Sequence, residues 1–467
     1  MSRRSARLRR TGVLGVVSIL VLVIAVGGVN ASNVASGLSE QSSGAPIPMW
    51  QSLAISGGFI VAAILLSLLV IDRTLLERFQ AAGISVSVAR LQTAGAIAFG
   101  TIGVVMLVLV VVVGLIGPQM GTFSAAVLLT FVGGRALLTI VTYAVGNPWH
   151  ALNPWRQIVT VLPTGYASYP AWLGSWPAVG GLLVLVWLEV IAPLTTSPRV
   201  LVSVVLVYTI VTIGGALVFT PEDWFRKADP ISVLFRLYGA VAPLQRTSDG
   251  LEIRYPGARL SDEGVITDRS EVAVILVVLW ELTYGGVIAT RPGVQIVGTL
   301  VDIGLPPQLV YLGLLLVGFV LFWTVYWLAV AYTYSRVEPT RSERSLAIRF
   351  GPPLLAIAAG YHFAHYAGFS LSLWPSLIDT MLSPLNPPEN PTQYLLTSWF
   401  GYVKIASILL GYLLAVWITY AVSLDLCVDR ADAIRCQYPF LVVMTVLTLV
   451  SVLLISVPPV EPVYVPT

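Results

Sequence analysis

Long apolar runs broken by short polar stretches dominate the chain. A helix needs about 20 consecutive apolar residues to cross the hydrocarbon core of a bilayer. Eleven segments have that character: 12–29, 51–71, 92–117, 122–144, 177–194, 200–219, 271–289, 307–333, 350–372, 397–423 and 439–457. In hydrocarbon every backbone donor and acceptor must be satisfied within the segment, so the runs predict helices. No period-2 alternation of the barrel type appears. The pattern predicts an all-α, polytopic membrane helix bundle, with residues 1–467 forming a single transmembrane domain.

Composition sharpens this. Hydrophobic residues make up 57% of the chain and charged residues only 10%, against about 25% charged in soluble domains. The net charge of +3 gives no reason to expect nucleic acid as a partner. The lipid bilayer is the expected partner, with any membrane-protein partner unidentified. Lysine occurs only at Lys227 and Lys404; the bias to arginine hints at a high-GC prokaryotic genome, and so at a prokaryotic plasma membrane.

Basic residues then set the orientation. With Arg3, Arg4, Arg7, Arg9 and Arg10 in the cytoplasm, the alternating inner segments carry Arg73, Arg78 and Arg90, then Arg156, then the group from Arg226 to Arg269. They go on to carry Arg336, Arg341, Arg344 and Arg349, and finally Arg430 and Arg435. Outer loops hold only Arg199 and Arg291. This predicts a cytoplasmic N-terminus and an external C-terminus. The first run has a basic start and a small-residue exit at Val29-Asn30-Ala31, which a signal peptidase could cut; its length favours an uncleaved anchor. Asn30-Ala31-Ser32 is a glycosylation triplet set close to the membrane. Cys427 and Cys436 match no zinc or redox spacing and read as ordinary thiols.

Two cytoplasmic segments, 145–176 and 220–270, are longer than connectors. The first repeats Asn147-Pro148-Trp149 as Asn153-Pro154-Trp155. Asparagine before proline favours a turn followed by a helix start, and tryptophan prefers the headgroup level. The repeat therefore reads as two turns pinned at the inner interface, extended by Tyr166, Tyr169, Trp172 and Trp176. In the second segment, Ile231 to Leu244 is apolar but too short to span, which suits an interfacial helix or a re-entrant turn. Leu251 to Tyr255 alternates like a short strand and is broken by Pro256-Gly257.

The candidate chemistry lies at membrane depth. Arg135, Glu189, Glu281, His362, His365 and Lys404 fall within the apolar runs. Each mid-bilayer charge costs about 2.5–3.5 kcal/mol on insertion scales, so such groups should face the bundle interior and pair. Arg135 is expected with Glu189 or Glu281, and Lys404 with the other carboxylate. Arg135, Glu189 and Lys404 would then line a polar pathway, or simply lock helices together. His362 and His365, three apart, share a helix face and could give two ligands to a divalent metal. A catalytic zinc site wants three protein ligands and an open position; His150 or a carboxylate would have to supply the third. Glu281 would be a further ligand or a general base acting on metal-bound water. The chain has no phosphate-binding glycine loop, no Gly-x-Ser-x-Gly elbow and no Cys-x-x-Cys.

Several stretches from about 147 to 456 resemble one known family. They are the Asn-Pro-Trp repeat, Ala228-Asp229-Pro230-Ile231-Ser232-Val233 through Ala242-Pro243, Tyr361 with Ala364-His365-Tyr366, and Gln437-Tyr438-Pro439-Phe440-Leu441-Val442-Val443-Met444. Together they are similar to membrane proteins of the fenitrothion hydrolase type. The resemblance implies a polytopic, metal-assisted hydrolase with a reduced ligand set. Where that family carries further His and Asp residues, this chain reads Gly411-Tyr412, Thr419-Tyr420-Ala421, Tyr284-Gly285-Gly286 and Phe350-Gly351-Pro352. His365 is retained and His362 is added. A transporter or permease, and a structural or assembly subunit without catalysis, are the alternative readings.

Overall fold

This computed structural model describes residue 38 and residues 47–69, 82–86, 89–247, 250–336, 342–427, 430–456 and 460–465. The predicted run 12–29, its cleavage site and the Asn30 triplet lie outside the described residues.

From Met49 onward, helices stand where the apolar runs predict them. They are α1 (Met49–Leu69), α2 (Ala89–Ile116) and α3 (Ala125–Ala144), then the short α4 (Trp149–Leu152) and α5 (Pro154–Val159). Next come α6 (Trp176–Ile191), α7 (Pro198–Val218), α8 (Pro230–Gly239), α9 (Arg269–Ile288), α10 (Arg291–Asp302) and α11 (Pro307–Arg336). The chain continues through α12 (Glu343–Phe350), α13 (Leu354–Leu382), α14 (Phe400–Leu426) and α15 (Arg430–Ser456). Among the described residues, 7 helices are long and apolar enough to cross a membrane: α2, α3, α7, α9, α11, α14 and α15. The apolar parts of α1 and α6 are shorter. α13 is 29 residues long, but its histidines, tyrosines and serines dilute its hydropathy. The chain is thus an all-α helical bundle of membrane type, as the pattern predicts.

α13 forms its centre, packing on α3, α9, α14 and α15. Its contact with α14 is close because Gly360 and Gly411 face each other. A Cβ on Gly360 would lie 2.4 Å from the Ser407 carbonyl oxygen, and one on Gly411 would lie 2.5 Å from that of Ala356. Small residues permit such backbone approach, and close packing then substitutes for the missing hydrophobic drive between helices in lipid. By contrast α2, α7 and α11 leave most of their apolar surface uncovered, as lipid-facing helices do.

Segments 145–176 and 220–270 are integrated into the bundle. Asn147 Oδ1 accepts from Trp149 N at 2.9 Å, and Asn153 caps α5 by accepting from Arg156 N at 3.0 Å, so both Asn-Pro turns start helices. Their tryptophans are held by neighbouring helices. Trp155 is buried and donates to Thr209 Oγ1 at 2.8 Å, while Trp149 donates to Ser232 Oγ at 3.1 Å and stacks on Phe235. Both indole N–H groups find protein partners, which holds the rings inside. Of the aromatics that follow the repeat, Tyr166, Trp172 and Trp176 are exposed and Tyr169 is buried.

α8 is short and largely buried. Its first turn is capped by Asp229, and Val233, Phe235, Leu237 and Tyr238 are all buried. The chain then turns back into a small sheet. The expected strand is β3 (Leu251–Ile253), flanked in the order β1-β3-β2 by antiparallel β1 (Ile84–Val86) and β2 (Leu244–Arg246). Gly257 follows with φ +79°, a conformation that glycine adopts without a Cβ penalty.

Two findings depart from the sequence reading. Cys427 and Cys436, read as ordinary thiols, are joined in a disulfide closing the turn between α14 and α15. Their nine-residue separation gave no hint that helix packing brings the two ends together. The segment between the predicted runs 271–289 and 307–333 contains α10, whose apolar positions 294, 297 and 301 recur at helical spacing; at 12 residues it is too short to register as a span.

Candidate functional site

The polar groups converge where α3, α6, α9 and α13 meet. Arg135 lies in a π-helical stretch of α3, Leu129–Leu138. Wide turns of this kind re-aim side chains and are frequent at functional sites. Its Nη2 atom lies 2.5 Å from Glu281 Oε1 on α9 and 3.0 Å from Glu189 Oε2 on α6. The two carboxylate oxygens can therefore be no farther apart than the sum of those distances. Arg135 Nε meets the Tyr366 hydroxyl at 2.9 Å, and the guanidinium lies over the Tyr366 ring, 5.2 Å from its centre.

His362 joins this cluster from α13. Its Nε2 donates to the Arg135 carbonyl oxygen at 3.2 Å, because a carbonyl can only accept. That fixes the proton on Nε2 and leaves Nδ1 to accept from the Tyr143 hydroxyl at 3.3 Å. The ring is further held between Tyr366, stacked at 4.5 Å, and the edges of Tyr143 and Tyr238. Both ring nitrogens are engaged, so a metal would have to displace one of these bonds.

His365, one turn further along α13, packs on the Tyr361 ring at 4.5 Å and feels the charges of Lys404 and Arg135. Lys404 Nζ also lies 6.0 Å from the Phe400 ring centre. The expected pairing of Lys404 with the second carboxylate is corrected: Arg135 takes both Glu189 and Glu281, because all three side chains point into one junction.

His150 stands apart, on α4. Partial burial, and then the guanidinium groups of Arg156 and Arg246, pull its ring down to about 4, so it is neutral at pH 7. Among the described residues no group of three or more His, Cys, Asp or Glu side chains is placed to hold a metal ion. His150, His362 and His365 are therefore not gathered into the three-ligand arrangement that a catalytic zinc site uses.

The triad's own accessibility matters most. Although it lies deep among four helices, 27% of the Arg135 side chain, 15% of Glu189 and 16% of Glu281 remain exposed. The three residues are therefore partly accessible rather than sealed in a filled core. Tyr143 and Tyr238 pack beside the cluster and were not singled out in the sequence. Tyr143 follows Arg135 by eight residues, about two helical turns, so periodicity alone could have placed it on the same face. Tyr238 arrives on the short α8, and no local pattern marks it.

No protein-family model, curated protein or solved structure matches this chain.

Proposed function

We propose that this chain is a multi-pass transporter or permease of a prokaryotic plasma membrane, whose polar pathway passes Arg135, Glu189 and Glu281. In this reading all eleven apolar runs span, with the N-terminus cytoplasmic and the C-terminus outside. The observation that carries it is the charge balance of the cluster: one guanidinium serves two carboxylates.

A structural lock at membrane depth would be one-to-one, because an uncompensated charge there is expensive. An excess carboxylate in a partly accessible cluster instead favours a site that meets a mobile positive charge. The π-helical stretch that carries Arg135 supports the same reading. The metal-assisted hydrolase implied by the family resemblance would need a free imidazole nitrogen beside a carboxylate, and the engagement of both His362 nitrogens weighs against it.

The test is uptake of a panel of labelled inorganic ions, amino acids and sugars into proteoliposomes. R135Q should slow the uptake found with the wild type by about tenfold or more, a loss of roughly 1.4 kcal/mol in transition-state stabilisation. Uptake that R135Q leaves unchanged would contradict the reading.

A further inference from the structure

We propose that Glu189 and Glu281 together hold one exchangeable proton, so that the triad is a proton-binding site and the proton is its coupling ion. The inference rests on the transport reading and assigns that site its ion.

Both carboxylates approach the same nitrogen, Arg135 Nη2. Two like charges this close, in surroundings of low polarity, repel strongly. One guanidinium neutralises only one of the two carboxylates, so the cluster carries one negative charge in excess. A proton brings the triad from a formal charge of −1 to neutrality, and it needs no more space than the cluster has.

Among the described residues, the groups facing the pair offer no competing cation besides Arg135. From α3 come Arg135, already counted, and Tyr143. From α8 comes Tyr238, and from α13 come Tyr361, His362, His365 and Tyr366. α6 brings no titratable group besides Glu189. His362 is fixed as the neutral Nε2–H form by its two hydrogen bonds, and the phenols are neutral donors. Lys404 lies near His365.

The Tyr238 hydroxyl is buried with no hydrogen-bond partner among the described residues. It sits on α8, with its ring against those of Tyr143 and His362. Proton binding makes and breaks only O–H bonds, so no redox partner or further reactant is required.

Infrared difference spectroscopy of the full chain in detergent tests this through the C=O stretch of a protonated carboxylic acid, identified by its shift in D₂O. Asp229 is also buried, so D229N serves to subtract its contribution. The wild type should show one protonated carboxyl signal that disappears on raising the pH. In E189Q and in E281Q alike the signal should be lost, because the remaining carboxylate then pairs one-to-one with Arg135. No such signal in the wild type, or its persistence in either variant, would overturn the proposal. The wild-type titration needs no substitution and so stands even if a variant fails to fold. The signal is read without a membrane gradient, so a present signal with no uptake would refute transport alone. Uptake with no signal would refute the proton assignment alone.

Discussion

At the residue scale, the buried polar groups divide into those that are matched and those that are not. His362 is matched on both ring nitrogens and Arg135 on three sides, while the Tyr238 hydroxyl has no partner among the described residues. A buried, unsatisfied hydroxyl costs about 1–3 kcal/mol. Y238F removes that cost and keeps the ring packing against His362 and Tyr143, so the melting temperature in detergent should hold or rise. A fall would mean that the hydroxyl has a partner. The sequence disclosed most of these residues, because an ionisable side chain within an apolar run is conspicuous. It did not disclose their pairing. Glu189 and Glu281 were equivalent candidates for Arg135, and only the shared junction of α3, α6, α9 and α13 shows that the arginine takes both.

At the element scale, α8 shows how a segment too short to span is held within the bundle. Asp229 caps it by accepting from Ser232 N at 2.7 Å. It also takes the hydroxyls of Tyr208 at 2.5 Å and Thr212 at 3.0 Å from α7. One carboxyl therefore fixes both the start of α8 and its seat against a neighbour. D229A leaves a helix uncapped and two hydroxyls without their acceptor. It should cost about 2–4 kcal/mol, read as a lower midpoint of thermal unfolding in detergent, and D229N should cost less. A change of a few tenths would contradict this role. The Asn-Pro-Trp repeat and the strand at Leu251 were legible because turn and alternation signals are local. The π-helical stretch of α3 was not, since its wide turns follow from packing Arg135 into the junction and leave no mark on the apolar pattern. The disulfide escaped for a similar reason: it depends on how α14 and α15 are brought together.

At the scale of the whole molecule, hydropathy alone placed every long helix from α1 to α15, because bilayer physics permits so few alternatives. The function-bearing centre was legible only in part. The heptapeptide from Gly360 to Tyr366 drew attention through its two histidines, yet in the structure it serves chiefly as a wall. Gly360 brings α13 close to α14, and His362 and Tyr366 brace Arg135. The charges come from three other helices, far apart in sequence. A polar cluster of this kind is either a lock or a working site, and the two differ in what the second carboxylate does. E189Q distinguishes them when initial uptake into proteoliposomes and thermal stability are measured on the same preparation. The excess-carboxylate reading predicts that uptake falls by about tenfold or more while the melting temperature holds or rises, since Arg135 and Glu281 remain paired one-to-one. A melting temperature that falls by several degrees with uptake unaffected would show that Glu189 locks helices together, and would contradict it.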